Sequence, residues 1–262
     1  MELLFLGTGT SQGVPMIEWE RDCAGFDASN PKNFRGRSCA HLVADGAHVQ
    51  IDAGPEFRAA CIRERVPAVD FFFLTHEHSD HILGMEDLRR YCALRGGEAI
   101  PVFSTPGGVA RVETLFDYAI RERASDGYVA LQPRVAPERF DLPAGTRVET
   151  TSLPHGKKIS TLGLVFTEKS SGKKLAYYTD CREVPEAAVE LARGADVLVI
   201  DGLRPKPHPT HLSVQEAVDV SRRIGAARTF LIHMTWQVDH AEWSAKLPAG
   251  VELAYDGLRA EV

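Results

Sequence analysis

The sequence predicts an α/β fold of two β-sheets packed face to face, with helices on the outside. Three observations carry this reading. Strand-like runs come first, helical runs follow, and the same order then repeats. The chain has 262 residues, 44% of them apolar, and no linker or low-complexity stretch interrupts it, so residues 1–262 are read as one domain with a large core. Several apolar runs end abruptly in a histidine or an aspartate, as strands do when they feed a site at the edge of a sheet.

Residues 3–6 form the first strand, and GTGTSQGVP after them is a tight loop marked by glycines and Pro15. No Lys-Ser/Thr follows, so this loop is not a phosphate-cradling P-loop. Residues 16–38 are polar and irregular. Runs 41–43 and 48–51 flank Asp45-Gly46, an Asp-Gly hairpin signal. Helical periodicity covers 57–65, and 84–94 places Met85, Leu88, Tyr91 and Cys92 on one side. Residues 106–121 form a helix with Thr105 as N-cap and Pro106 in its first turn. Strands are expected at 129–131, 147–153, 162–167 and 175–178, then a helix at 183–193 and a buried strand at 197–201. Residues 210–224 carry the capping-box match Ser213-x-x-Glu216. A strand at 229–232, a helix at 238–246 and a last strand at 251–254 complete the chain.

The formal net charge is −6, which does not suit a general nucleic-acid binder. MELLFLGTG has an acid at position 2 and a short apolar run, neither a signal peptide nor a membrane span, so a cytoplasmic location is expected. Five widely spaced cysteines form no C-x-x-C pair and are read as reduced thiols.

The chemistry concentrates in residues 71–81, FFFLTHEHSDH. An apolar strand turns at once into His76, His78, Asp80 and His81. Imidazole and carboxylate are common ligands of zinc, and they suit manganese and iron as well. His76 and His78 share a face of an extended segment, while Asp80 and His81 follow once the chain has turned. That arrangement suits two neighbouring cations.

His76-x-His78-x-Asp80-His81 after an apolar strand resembles the signature of the metallo-β-lactamase-fold hydrolases. The later ligands of that family match His155 in LPHGKK, Asp180 in LAYYTDC and His233 in TFLIHMT. The resemblance implies a four-layer αββα sandwich of two mixed sheets. One cation would take His76, His78 and His155, and a second would take Asp80, His81 and His233. Asp180 would bridge them. It also implies that Asp52 supports the cluster from outside. Two cations about 3.5–4 Å apart would activate a water for attack on phosphorus. No serine or cysteine sits in a nucleophile-elbow sequence.

The opening GTG-x-x-QGVP is similar to that of the branch holding the cyclic-phosphate phosphodiesterases of phosphonate breakdown and the pyrroloquinoline quinone biosynthesis protein, with the tRNA 3′-processing nucleases as relatives. That branch implies His211 as the group that assists the leaving oxygen or grips phosphate, with Asp201 orienting it. His208 is read as solvent-facing. The phosphodiesterases of the branch carry a C-x-C-x-x-C structural zinc site. Here the positions read Arg21, Asp22, Cys23, Ala24, Gly25 and Phe26, and the late partner is Trp236. One thiolate cannot hold zinc, so no additional structural zinc is expected, and Phe26 and Trp236 are expected to pack in its place.

The implied activity is hydrolysis of a small, cyclic phosphodiester, with two divalent cations (zinc, manganese or iron) and no membrane partner. The alternatives are a nuclease acting on tRNA or DNA ends, of which the acidic charge and the lack of a basic Gly-rich arm disfavour the tRNA reading and leave the DNA reading open, and a metabolite-binding protein like the quinone-cofactor relative. The relatives suggest a homodimer. Arg58, Arg89, Arg182, Arg204 and Lys206 are cations without an assigned role.

Overall fold

The computed structural model describes residues 1–124 and 127–262. Strands β1 (Glu2–Gly7), β2 (Cys39–Ala44), β3 (Ala47–Ile51), β4 (Phe71–Phe73), β5 (Ile100–Ser104) and β6 (Leu131–Val135) belong to the first sheet. Strands β7 (Arg139–Asp141), β8 (Arg147–His155), β9 (Ile159–Thr167), β10 (Lys174–Tyr178), β11 (Val197–Asp201), β12 (Arg228–Ile232) and β13 (Val251–Leu253) form the second. The last strand, β14 (Arg259–Glu261), returns to the first sheet and pairs antiparallel with β1. Each sheet has seven strands, ordered β14-β1-β2-β3-β4-β5-β6 and β13-β12-β11-β10-β9-β8-β7. Both are mixed: pairs from β3 to β6 and from β10 to β13 are parallel, and the others are antiparallel.

Both faces of the central strands are buried, and this is why they read as unbroken apolar runs. Phe73 points between the sheets, stacked on Phe103 at 5.2 Å and edge-on to Phe166 at 5.6 Å. Phe5 and Phe230 meet across the same seam at 5.3 Å. The neighbours Phe72 and Leu74 face outward, into the cluster that holds Phe57, Leu88 and Val112.

The helices are α1 (Trp19–Asp22), α2 (Phe57–Glu64), α3 (Ser79–Ile82), α4 (Arg89–Leu94), α5 (Pro106–Leu115), α6 (Glu186–Ala192), α7 (Val214–Ile224) and α8 (His240–Ser244). Helices α2, α4 and α5 cover the first sheet, and α6 and α7 cover the second. The layers are therefore αββα. Among the described residues no helix is long and apolar enough to cross a membrane.

Helix α7 shows how the sequence dictates one element. Ser213 accepts from the Glu216 amide while the Glu216 carboxylate accepts from the Ser213 amide, the full capping box. Val214, Ala217, Val218, Ser221 and Ile224 recur at helical spacing and are buried, and Gly225 ends the helix at φ 70°. The Asp45-Gly46 turn is also as expected, with φ of 47° and 79°.

Several expected bounds shift. The helix expected at 106–121 stops at Leu115, because Phe116 and Ala119 turn into the core and pull the chain off the helical path. The strand expected at 129–131 is β6, which starts at Leu131 and carries Pro133 on an edge, where a missing donor is tolerated. Strand β8 runs through Pro154 to His155 itself. The helix expected at 183–193 begins only after Pro185, and the one at 238–246 begins after the Asp239 cap.

Candidate metal centre

Every element that matters ends at one rim of the two sheets. Strands β3, β4, β8, β10, β11 and β12 deliver Asp52, His76, His155, Asp180, Asp201 and His233 from their C-terminal ends. Ligands at that edge are the general habit of parallel α/β sheets. The chain must turn sharply just past the strands, and Asp52, Asp180 and His233 take φ of 58°, 51° and 57°. Non-glycine residues at positive φ cost of order a kcal/mol each and gather at functional sites.

Asp80 and His81 come from α3, which is docked by backbone bonds. The Ala53 amide donates to the His81 carbonyl at 2.8 Å, and the Gly84 amide donates to the Ala53 carbonyl at 2.8 Å. A Cβ on Gly54 would stand 2.5 Å from the Asp80 carbonyl, and one on Gly84 would stand 2.2 Å from the Gly54 carbonyl. Only glycine admits so close an approach.

The imidazoles are oriented from behind. Asp52, fully buried, accepts from the Thr75 amide at 2.7 Å, the Thr75 hydroxyl at 2.8 Å and His81 Nδ1 at 2.7 Å. Thr75 Oγ1, having given its proton to Asp52, accepts from His76 Nδ1 at 3.1 Å. His155 Nδ1 donates to the Thr210 carbonyl at 3.0 Å. Three rings are thus held through Nδ1 with Nε2 turned inward, the second-sphere arrangement that metal-binding histidines need.

Those inward atoms converge. His76 Nε2 lies 2.9 Å from His78 Nδ1, and His155 Nε2 lies 3.3 Å from the same atom. His81 Nε2 lies 3.2 Å from Asp80 and 3.1 Å from Asp180, while His233 Nε2 lies 3.6 Å and 3.1 Å from the same two carboxylates. Two separable donor groups result, His76–His78–His155 and Asp80–His81–His233, with Asp180 within reach of both. His81 Nε2 and both ring nitrogens of His233 are buried with no hydrogen-bond partner among the described residues. A buried polar atom left in that state is costly unless something else satisfies it. Nitrogen and oxygen donors in this number suit divalent zinc, manganese or iron.

The electrostatics point the same way. Burial favours the neutral form of His76, and the neighbouring His81 reinforces it, so the His76 pKa falls well below the ordinary value. Burial likewise lowers His155 to about 4, leaving a neutral lone-pair donor at neutral pH. Burial opposes the charge on Asp180, yet His233 and His81 hold its carboxyl well below the usual range. Burial also opposes the charge on His81, but Asp180 and Asp52 carry its pKa well upward. The pocket is built to demand positive charge, which divalent cations would meet.

Beside this cluster, His211 Nδ1 donates to Asp201 at 2.9 Å. The His211 ring lies 4.8 Å from both the His155 and His233 rings. All ten residues expected at the site, from Asp52 to His233, are therefore brought together. His208, expected to face solvent, is instead half-buried with its ring 5.3 Å from that of His211, and it accepts from the Thr210 hydroxyl. The aromatic pair expected to replace the structural zinc divides: Phe26 packs edge-on against Trp19 and Phe34, while Trp236 lines a cavity next to His211. Arg58, Arg89 and Arg182 pair with Asp87, Glu86 and Glu216. Arg204 donates to the Lys206 and Pro207 carbonyls.

Thr75, Thr161 and Thr210 escaped the sequence reading. Thr75 adjoins the motif, so its position was a usable signal. Thr161 holds the Asp180 carbonyl at 2.8 Å from 19 residues away, and Thr210 holds His155 from 55 residues away, so neither had a local one.

Residues 48–234 match the family model of the β-lactamase superfamily domain. With the two-sheet fold and the histidine–aspartate cluster, this places the chain in the metallo-β-lactamase-fold hydrolase superfamily. Within it the chain stands with the PhnP-like branch: a diphosphatase of the PhnP family shares 32% identity and superposes with a TM-score of 0.88 over 100% of this chain and 97% of that one. Ribonuclease Z from Acaryochloris marina is 30% identical over 100% of this chain and 98% of its own length. An octanoyltransferase from Porphyromonas gingivalis is 30% identical over 99% of this chain, which spans only 51% of that protein.

Proposed function

We propose that the protein is a phosphodiesterase that binds two divalent cations, zinc or manganese, and hydrolyses a small phosphodiester in the cytoplasm. His76, His78 and His155 would hold one cation, Asp80, His81 and His233 the other, and Asp180 both. Cations bound there supply a water acidified to near neutrality and positive charge opposite the phosphate oxygens.

The observation that carries the reading is the His211–Asp201 pair at the edge of the cluster. An alkoxide leaving group must be protonated, and this pair is shaped to do it. Asp201 fixes the ring through Nδ1 and leaves Nε2 for the substrate. Burial works against a charged His211, but its hydrogen bond to Asp201 and the charge of Asp180 raise its pKa above the ordinary value, so the ring keeps a proton to give. Asp52 and Thr75 hold His76 and His81 in place while this happens.

The test is hydrolysis by manganese-loaded protein of a cyclic ribose phosphodiester, whose leaving group is an alkoxide, with bis(p-nitrophenyl) phosphate as the control whose phenolate leaves without a proton. His211→Ala should retain the metal content of the parent and lose roughly 10²–10⁴ in rate, the usual contribution of a general acid. An unchanged rate would remove His211 from the mechanism. A metal content below two per chain in the parent would remove the two-cation reading.

A further inference from the structure

Two cavities open on opposite sides of His211. One, of about 400 Å³, holds the cluster side and is rimmed by Lys157 and Lys158. The other, of about 330 Å³, is walled by Trp236 and Gln12. Both include Ser11 and His211, so the two adjoin at the point where a scissile phosphate would lie.

The two sides differ in chemistry. Lys157 and Lys158 sit at the tip between β8 and β9, directly after the ligand His155. Gly156 takes φ 70°, and a Cβ there would meet Thr210 at 3.2 Å, so the tip is pressed against the loop that carries His211. Neither lysine has an ion-pair or hydrogen-bond partner among the described residues, whereas Lys173 and Lys246 both pair with acids. Two uncommitted ammonium groups next to a phosphate site are a grip for a second anionic group.

On the other side, Trp236 is half-buried on a segment that is held rigidly. Arg35, 2% exposed, donates to the Thr235 carbonyl at 3.1 Å and the Val238 carbonyl at 2.7 Å, bracketing Trp236. The Thr235 amide donates to Leu203 at 2.8 Å, and the Thr10 amide donates to Met234 at 3.1 Å. A rigid indole beside a side-chain amide suits a planar heterocycle that stacks and offers polar edges.

Resting on the phosphodiesterase reading, we infer that the cleft takes a two-armed substrate: a nucleotide whose base lies on Trp236 and which carries a second phosphate held by Lys157 and Lys158, with the scissile phosphate between them at His211.

Isothermal titration of manganese-loaded protein with ribose phosphate, adenosine monophosphate and adenosine bisphosphate tests this without turnover. Each added arm should tighten binding about tenfold, as stacking and paired ammonium contacts allow. Trp236→Ala should erase the step from ribose phosphate to the monophosphate, and Trp236→Phe should keep most of it. Lys157→Ala with Lys158→Ala should erase the step from monophosphate to bisphosphate. Equal affinity for the three compounds, or variants that bind all three like the parent, would overturn the inference. Selective binding without any diester hydrolysis would sink the phosphodiesterase reading alone, and hydrolysis without selectivity would sink the two-armed cleft alone.

Discussion

Asp52 receives three hydrogen bonds and through them sets the tautomers of two histidines, although it need not touch a cation. Asp52→Asn keeps the volume but replaces an acceptor oxygen with a donor, which opposes either the Thr75 hydroxyl or His81 Nδ1. The expected result is a 10–100-fold loss in metal affinity, measured by chelator competition, with the fold retained. Affinity equal to the parent would show that the rings are oriented by something else. His41, far from the rim, makes a second prediction. It is buried between Gln50 at 3.2 Å and His48 at 3.0 Å, and burial, reinforced by His48, lowers its pKa to about 4. The unfolded chain takes up this proton near pH 6.5 and the folded one only near 4. The stability tied to neutral His41 is therefore present above pH 6.5 and is lost as pH falls through that window, up to about 3 kcal/mol. His41→Gln should flatten the pH dependence of unfolding by urea between pH 7 and 4 relative to the parent, and identical slopes would contradict this.

At the scale of elements, α3 depends on two glycines more than on its own four residues. Gly84→Ala places a methyl group 2.2 Å from the Gly54 carbonyl and must push α3 off the strand end that docks it. Overpacking of this kind costs about 1–3 kcal/mol, and here the displacement moves Asp80 and His81 directly. Gly84→Ala should lose bound metal more than it loses melting temperature, whereas full metal occupancy would show that α3 docks in another way. The legibility of the elements follows from their burial. Strands β4, β10, β11 and β12 were plain in the sequence because both faces meet apolar neighbours, and α7 was plain because its cap and its stripe agree. Strands β7 and β14 were not, since Arg139-Phe140-Asp141 and Arg259-Ala260-Glu261 are three residues each with charged ends, and only pairing with a distant strand makes them strands. Trp236 was misplaced because nothing local says which of two loops an aromatic ring will face.

Across the whole molecule, the donors divide between the sheets. His76, His78, Asp80 and His81 hang from the first, and His155, Asp180 and His233 from the second. Cations bound there would tie the two halves together, so chelation should lower the melting temperature. Free cation at about 1,000 times its Kd is worth about 4 kcal/mol, or roughly 10 °C for a chain of this size. Scanning calorimetry with and without chelator measures it, and coincident melts would mean that the cations do not bridge the seam. The ligand list was legible across this division because His76-x-His78-x-Asp80-His81 resembles a family signature and His155, Asp180 and His233 each close an apolar run. The lysine tip and the tryptophan wall were not, since they become neighbours of the cluster only when the sheets stack. One consequence follows from the way α3 is moored. Most of its anchorage runs through main-chain amides and carbonyls, to which the imidazoles add only the His81–Asp52 bond. A lineage carrying this scaffold could therefore exchange its donors one by one, fall silent as a catalyst, and still hold the same crevice open for whatever small molecule had come to rest there.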